Sequence, residues 1–416
     1  MVTVPWPALQ FEERTWSWAE HGSRPSRRED RTFRSYASAI PPEIAPLRPA
    51  LSSEAMTLVV EAERRCATLD GHARHAGPEL NELAAFLLRS ESVASSKIER
   101  VEAPARAVFE VLAGLRGGQT MAGQVAANIR AMQRAVEVGA QSTAFGMDPF
   151  LSIHRELLRD DAAEHAWAGR LRMQQNWIGG SDDSPRGALF VPPRPERVEG
   201  LLHDLFRFAE RLDIPPIVQA AIAHAQLETI HPFTDGNGRV GRALIHVILR
   251  RRAVITRSLV PVSTVLLSEP EDYFSGLTRY REGDLDTWVS DFARAVIVSA
   301  RHGDILADRI LELRAAWLEV ARPRKKSAAA AILEGLIRQP VVSIDTARQI
   351  VRDDTGRAVA DKNVYEAIER LVDAGILVEI TRQRRNRAWV ANDVLDLLER
   401  FQREVSKQRR LPDSLR

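Results

Sequence analysis

The chain has 416 residues, 44% of them hydrophobic and 27% charged, with a formal net charge of +2. That length suits two or three domains with a sizeable core, and the near-neutral balance argues against a global attraction to nucleic acid or membrane. Its one cysteine, Cys66, excludes an internal disulfide and reads as a small buried apolar residue in a reducing compartment. No run of about 18 apolar residues occurs, so no membrane span is expected. The start, MVTVPWPALQ, lacks the basic-then-apolar pattern of a secretory signal. The expected location is the cytoplasm.

Residues 1–50 are rich in Pro, Arg and Trp. They read as an extended arm wrapped on the body, because prolines exclude helix while Trp6, Trp16 and Trp18 call for burial. Residues 51–140 form a helical region, in which Leu80, Leu83, Leu87 and Leu88 fall on one face. Residues 141–320 carry further helical stretches, including PPIVQAAIAHAQLETI, whose opening Pro215 and Pro216 suit a first helical turn. Between them QNWIGGSDDSPRGALFVPP breaks the pattern, and its Gly-Gly and Ser-Pro signals predict a short hairpin. After Gly238 a new helix is predicted, with Val240, Ala243, Leu244, Val247 and Ile248 on one face.

ARPRKKS then reads as a linker, and the composition shifts. Residues 322–416 hold 20 Lys and Arg against 14 Asp and Glu, so the overall balance hides a basic tail. Residues 327–400 predict three helices and then two strands, ILVEI and AWVA, around the arginine-rich TRQRRNR. The predicted fold class is therefore mainly α, with a small β-hairpin and a C-terminal α+β domain.

The chemistry is densest in HPFTDGNGRVGR, residues 231–242. Glycines let the backbone turn tightly and approach a ligand, and Asn tolerates left-handed geometry. Asp-Gly-Asn-Gly running into an amphipathic helix makes a nest of N–H groups at a helix N-terminus, an anion site by geometry and by dipole. Arg239 and Arg242, three apart, are neighbours on the first turns, and their forks match phosphate oxygens. A nest plus two arginines suits a polyphosphate. Asp235 alone is too sparse for a structural metal cage but fits Mg²⁺, which takes one or two carboxylates with phosphates and water. His231 precedes the anion site, where a general base for an attacking hydroxyl would be useful.

This stretch resembles the signature of Fic (Fic/Doc) proteins, a His-x-Phe-x-Asp/Glu-Gly-Asn-Gly-Arg-x-x-Arg loop and helix, with every specified position matched. The resemblance implies a helical Fic core that moves AMP from ATP to a Ser, Thr or Tyr hydroxyl of a protein substrate, which can be the chain itself. It implies that His231 is the base and that Asp235 holds Mg²⁺. Gly236, Asn237, Gly238 and Arg239 would bind the α- and β-phosphates and Arg242 would meet the γ-phosphate, with Val240 and Gly241 counted among the ATP-binding residues of the same stretch. The broken segment resembles the family's flap, with Phe190, Val191 and Pro192 as candidates for docking the target backbone. In VSTVLLSEPEDYF, Ser268 and Tyr273 are candidates for the adenine pocket.

SESVASSKIE resembles the family's inhibitory pattern in an N-terminal helix. Ser95 and Glu99 match it, and the resemblance implies that Glu99 blocks Arg242. At about 4 Å and an effective dielectric near 20 such a pair gains roughly 4 kcal/mol before desolvation. Arg100 stands where the family usually has Gly or Asn, and either competes for Glu99 or points to solvent. The tail resembles a winged helix, with Arg382, Arg384, Arg385 and Arg387 as its wing and DKNVYEAIERLVDAG as its recognition helix. DNA binding, homodimerisation and substrate docking remain open for it. A DNA-binding regulator with a nucleotide-sensing core, or transfer of another phosphate-containing group, are the alternative functions.

Overall fold

In the computed structural model, residues 5–18, 25–75, 81–356, 358–381 and 387–407 are described. Leu80 and the wing residues Arg382, Arg384 and Arg385 lie outside them. The arm is more ordered than a simple extended segment. β1 (Gln10–Thr15) and β2 (Ser35–Ile40) pair antiparallel around the short α1 (Arg28–Thr32), in register from Gln10 opposite Ile40 to Thr15 opposite Ser35. Trp6 and Trp16 are buried as their size requires, Trp16 standing edge-on to Trp177 at 5.4 Å. Trp18 is only half-buried.

Five helices follow: α2 (Ser53–His75), α3 (Asn81–Ile98), α4 (Ala105–Leu112), α5 (Met121–Gly139) and α6 (Met147–Leu158). Leu83, Leu87 and Leu88 of α3 are buried together, as their spacing predicts, and Cys66 of α2 is fully buried. Then come α7 (Pro195–Ala209), α8 (Pro216–Ile230), α9 (Asn237–Arg251), the short α10 (Val262–Leu266), α11 (Pro270–Arg281) and the long α12 (Leu285–Ala321). α12 lies along α2, and together they wall the bundle.

α9 differs from its predicted one-sided character. Val240, Ala243, Leu244, Val247 and Ile248 are buried, but so are Arg239, Arg242 and His246. α3, α5, α6 and α8 surround the helix. Its polar side chains survive there because each meets a partner: Asp235, Ser95 with Glu99, and Glu91 respectively. The predicted hairpin shrinks to a single bridge between Ile178 and Phe190. β2 lies beside it, with Ala39 N donating to the Val191 carbonyl at 3.0 Å and Ser38 Oγ to that of Pro192 at 3.0 Å.

The C-terminal part comprises α13 (Ala328–Arg338), β3 (Val341–Ser343), α14 (Ile344–Thr355), α15 (Asp361–Asp373), β4 (Val378–Glu379), β5 (Ala388–Val390) and α16 (Asn392–Lys407). The strands form an antiparallel sheet in the order β3-β5-β4. β3 is three residues long, too short to show periodicity in the sequence. α16, unanticipated, buries Val394, Leu397, Leu398, Phe401 and Val405. It packs on α12, α10, α3 and α4. No helix among the described residues is long and apolar enough to cross a membrane.

Candidate active site

α8 is buried along its whole length, so its C-terminal carbonyls cannot turn to water. The helix ends on His231, in left-handed geometry (φ 50°, ψ 61°), with its N–H donating to the Leu227 carbonyl at 2.8 Å. A non-glycine residue there carries strain of about 1–2 kcal/mol, so the surroundings must hold it. Arg172 does so: its Nε donates to the His231 carbonyl at 2.8 Å, and its backbone N–H to that of Pro232 at 2.9 Å.

The loop to α9 is anchored from inside. Phe233, fully buried, stacks between Phe150 and His154, with ring centroids 5.4 Å and 3.7 Å away. His154 Nδ1 accepts from the Gly169 N–H, which leaves Nε2 as the donor to the Asp235 carbonyl at 3.1 Å. Burial lowers the His154 pKa to about 4, keeping that neutral tautomer. The left-handed residue predicted for this turn is Gly236 (φ 81°), not Asn237. A Cβ on Gly236 would come within 2.6 Å of the Leu157 side chain. Asn237 is already helical. Its amide accepts from Phe233 N–H at 2.8 Å and donates to the Phe233 carbonyl at 2.9 Å, closing the loop. Asn176, unremarked in the sequence, adds a donor to the Phe233 carbonyl at 3.0 Å.

The start of α9 forms the cradle. Asp235 pairs with Arg239 at 2.6 Å, while Arg239 Nε is buried without a partner. Gly238 has no room for a Cβ because Glu99 Oε1 lies against it. Gly241 instead faces α8, where a Cβ would strike the Glu228 carboxylate, so its smallness serves helix packing; Val240 is core. Arg242 is buried, its Nε donating to Ser95 Oγ at 2.8 Å and its terminal nitrogen to the Ser95 carbonyl at 2.8 Å and Glu99 Oε1 at 2.9 Å. Ser95 lies in the last turns of α3, but Glu99 lies just past its end at Ile98. Arg100 is exposed with φ 59°.

Two acids and two bases around Arg242 are shifted. Burial opposes the charge on Arg242, but the Glu99, Tyr273 and Glu228 neighbours outweigh it and raise its pKa. Burial raises Glu228 to about 7 and lowers His224 to about 3. Burial also raises Tyr273, whose hydroxyl lies 2.9 Å from His224 Nε2. The His231 imidazole is lowered to about 3, by burial first and then by the Arg172 and Arg281 guanidiniums. Tyr273 is thus brought to the Arg242 end of the site. The Ser268 hydroxyl bonds its own turn, at the Val265 carbonyl. Phe190 lies 3.8 Å beneath the Arg281 guanidinium, and Phe190, Val191 and Pro192 are buried. Arg172, Asn176, His224, Glu228 and Arg281 carried no motif in the sequence; contacts between distant segments of the folded chain reveal them.

Residues 145–249 match the model of the Fic/DOC family, and residues 56–137 that of the Fic/DOC family N-terminal region. The chain carries a Fic/DOC domain and its N-terminal region over those residues. It is 34% identical over 151 residues to protein adenylyltransferase fic-1 of Caenorhabditis elegans, covering 36% of this chain and 26% of that one. To protein adenylyltransferase Fic of Nematostella vectensis it is 32% identical over 157 residues, covering 37% and 33%. The match therefore spans about a quarter to a third of the length of these relatives. A crystal structure of a Fic family protein from Desulfovibrio desulfuricans G20 shares the fold at TM-score 0.50 and 20% identity, covering 83% of this chain and 98% of that chain. The family's matched region holds the whole 231–242 loop, and the N-terminal match holds Ser95 and Glu99.

Proposed function

We propose that the chain is a protein adenylyltransferase that moves AMP from ATP to a Ser, Thr or Tyr hydroxyl of a protein and is held back by Glu99. The observation that carries this reading is the carboxylate of Glu99, lodged against Gly238 at the α9 N-terminus and bonded to Arg242. An internal acid in an anion cradle marks both the cradle's preference and its block. The names of the relatives, protein adenylyltransferases, support the reaction type.

The donor set fits a magnesium nucleotide. The unpartnered Arg239 Nε offers a donor to a phosphate oxygen. Asp235, half exposed beside the cradle, offers the hard oxygen that Mg²⁺ takes; the ion would supply charge neutralisation on the phosphates. Gly236, Asn237 and Gly238 would present backbone N–H groups to the inner phosphates. Arg242 would meet the γ-phosphate once Glu99 withdraws, with Tyr273 lining that end. The acceptor hydroxyl oxygen forms a bond to the α-phosphorus, the bond to pyrophosphate breaks, and the proton passes to the neutral His231 imidazole. A base with a pKa near 3 is weak, but the negative charge of a bound triphosphate raises it. Phe190, Val191 and Pro192 would align the target segment.

The blocking pair is worth on the order of 1–3 kcal/mol, since water reaches the Glu99 side chain, 38% exposed. The strand and helix order of the C-terminal part supports reading it as a winged helix. Its Arg387 is engaged with Glu379 at 2.6 Å and Glu369 at 3.3 Å, which weakens the case for it as a phosphate contact. Intact-mass measurement after incubation with Mg-ATP tests the whole reading. The Glu99→Gly chain should gain one adenylyl mass, the unaltered chain less, and a Glu99→Gly chain also carrying His231→Ala none. No gain by the Glu99→Gly chain would remove the proposed reaction.

A further inference from the structure

We infer that Arg172 is a positioning residue for the acceptor side of the site, joining the flap to the end of α8 so that the imidazole and the target segment are set by one guanidinium. The inference rests on the adenylyl-transfer reading and assigns a role to a residue outside its signature motif.

Arg172 is buried, only 2% exposed, and uses its donors on backbone carbonyls from three separate segments. Nε donates to His231, one terminal nitrogen to Gln174 at 3.1 Å, and the other to Pro193 with a longer contact to Ile230 at 3.5 Å. Ile230 and His231 carry the orphan carbonyls at the C-terminus of α8, where the helix dipole favours a cation. Pro193 directly follows the flap residues Phe190, Val191 and Pro192. The planar fork spans both at once, which an ammonium cannot do. No carboxylate pairs with Arg172 at salt-bridge distance among the described residues, so the carbonyl oxygens are what compensate its burial. Desolvation lowers its pKa to about 10, which leaves it charged at neutral pH.

Arg281 completes the arrangement on the other side. It lies over the Phe190 ring, with its Nη2 3.3 Å from the Glu228 carbonyl and its Nε 3.3 Å from Thr229 Oγ1. The groups acting on the His231 ring are thus Arg172 and Arg281, which disfavour its protonation, and Asp235 and the Glu228 carbonyl, which favour it. Arg172 therefore has two separable effects. Its shape fixes the left-handed His231 and the flap relative to each other, and its charge helps keep the imidazole neutral. Neither effect touches the cradle formed by Gly238, Arg239 and Arg242.

The test uses the full chain in the Glu99→Gly background, comparing Arg172 with Arg172→Gln and Arg172→Lys. Covalent AMP gain is followed by intact mass against Mg-ATP concentration. For Arg172→Gln the maximal rate should fall 30-fold or more while the half-saturating Mg-ATP concentration stays within about twofold. Arg172→Lys should remain far below the parent rate because the fork is lost. An equal loss of Mg-ATP affinity, or a rate within twofold of the parent, overturns the assignment. NMR titration of the His231 ring gives a readout that needs no turnover: its pKa should rise in Arg172→Gln and stay near the parent value in Arg172→Lys. An unchanged value in Arg172→Gln overturns the inference. A Glu99→Gly parent that never gains AMP sinks the proposed reaction, and the titration still decides the role of Arg172.

Discussion

The proposed anion side of the site and its proposed acceptor side are built in opposite ways. Asp235, Gly236, Gly238, Arg239 and Arg242 all come from one loop and the helix it caps, so their relative placement follows from local geometry. The acceptor side is gathered from Arg172, Asn176, the flap at Phe190–Pro192, Arg281 and the end of α8, which meet only in the folded chain. A local anion site tolerates change elsewhere. An acceptor side assembled from distant carbonyls and rings depends on every segment that reaches it. Substitutions on the two sides should therefore separate nucleotide binding from transfer.

The largest effect expected is that of His231→Ala. Loss of a general base typically costs 10²–10⁴-fold, and His231 has no nearby substitute of suitable charge, since His224 is fully buried against Tyr273. In the Glu99→Gly background the rate of AMP gain should fall by that range, with Mg-ATP binding by calorimetry unchanged. Transfer at the parent rate would take His231 out of the reaction, whereas lost nucleotide binding would blur the division between the two sides. The reverse change is Glu99→Gly in the otherwise unaltered chain. Releasing a pair worth about 1–3 kcal/mol should raise self-modification about 5- to 150-fold at subsaturating Mg-ATP. An equal or lower rate would mean that Glu99 does not hold the cradle.

Gly236→Ala probes the cradle's backbone. The substitution places a Cβ at φ 81° and 2.6 Å from Leu157. It should cost about 1–3 kcal/mol in a urea melt and weaken Mg-ATP binding. An unchanged melt would show that the turn relaxes freely.

Protonation reaches both sides. His154, His224 and His231 are held near 4, 3 and 3 in the folded chain, while unfolded histidine titrates near 6.5. Below pH 6.5 the unfolded chain therefore binds protons that the folded chain does not, so stability falls as pH drops toward 4. Glu228 acts in the opposite sense, because its folded value near 7 keeps a proton that the unfolded carboxylate releases above about pH 4.5. Around pH 5 the net difference from these four groups is roughly two protons, so stability should fall steeply, on the order of a few kcal/mol per pH unit. Urea midpoints measured from pH 7 to pH 5 should decline, and less steeply in a His224→Gln chain. A flat profile would contradict the burial of these rings.

How much of this could be read in advance follows the same division. The cradle was legible because Gly236, Asn237, Gly238 and the two arginines are adjacent in sequence and their residue types have few other uses together. The pairing of Ser95 and Glu99 with Arg242 could be expected only from the family resemblance of SESVASSKIE; the structure sets Ser95 in the last turns of α3 and Glu99 just past its end, both bonded to Arg242. The full burial of α9 was not legible, since Arg239, Arg242 and His246 look like a solvated face until Asp235, Glu99 and Glu91 are brought to them. β3 and α16 were missed because three residues show no period and because charges crowd the outer face of an amphipathic helix. Arg172 was missed because its partners are backbone carbonyls, which no side-chain pattern records.

The smallest effect expected concerns Arg100, the position where this chain departs from the family pattern. The residue has φ 59° and is exposed, with its N–H donating to the Lys97 carbonyl at 2.9 Å. The ion pair of Glu99 is with Arg242, not with its neighbour. Arg100→Gly relieves left-handed strain but increases the freedom of the unfolded chain, so the two effects nearly cancel and stability should change by no more than about 1 kcal/mol. Because the turn keeps its shape, Glu99 should stay on Arg242 and self-modification should remain within twofold of the unaltered chain. A several-fold change in either direction would show that Arg100 acts on the Glu99 lock.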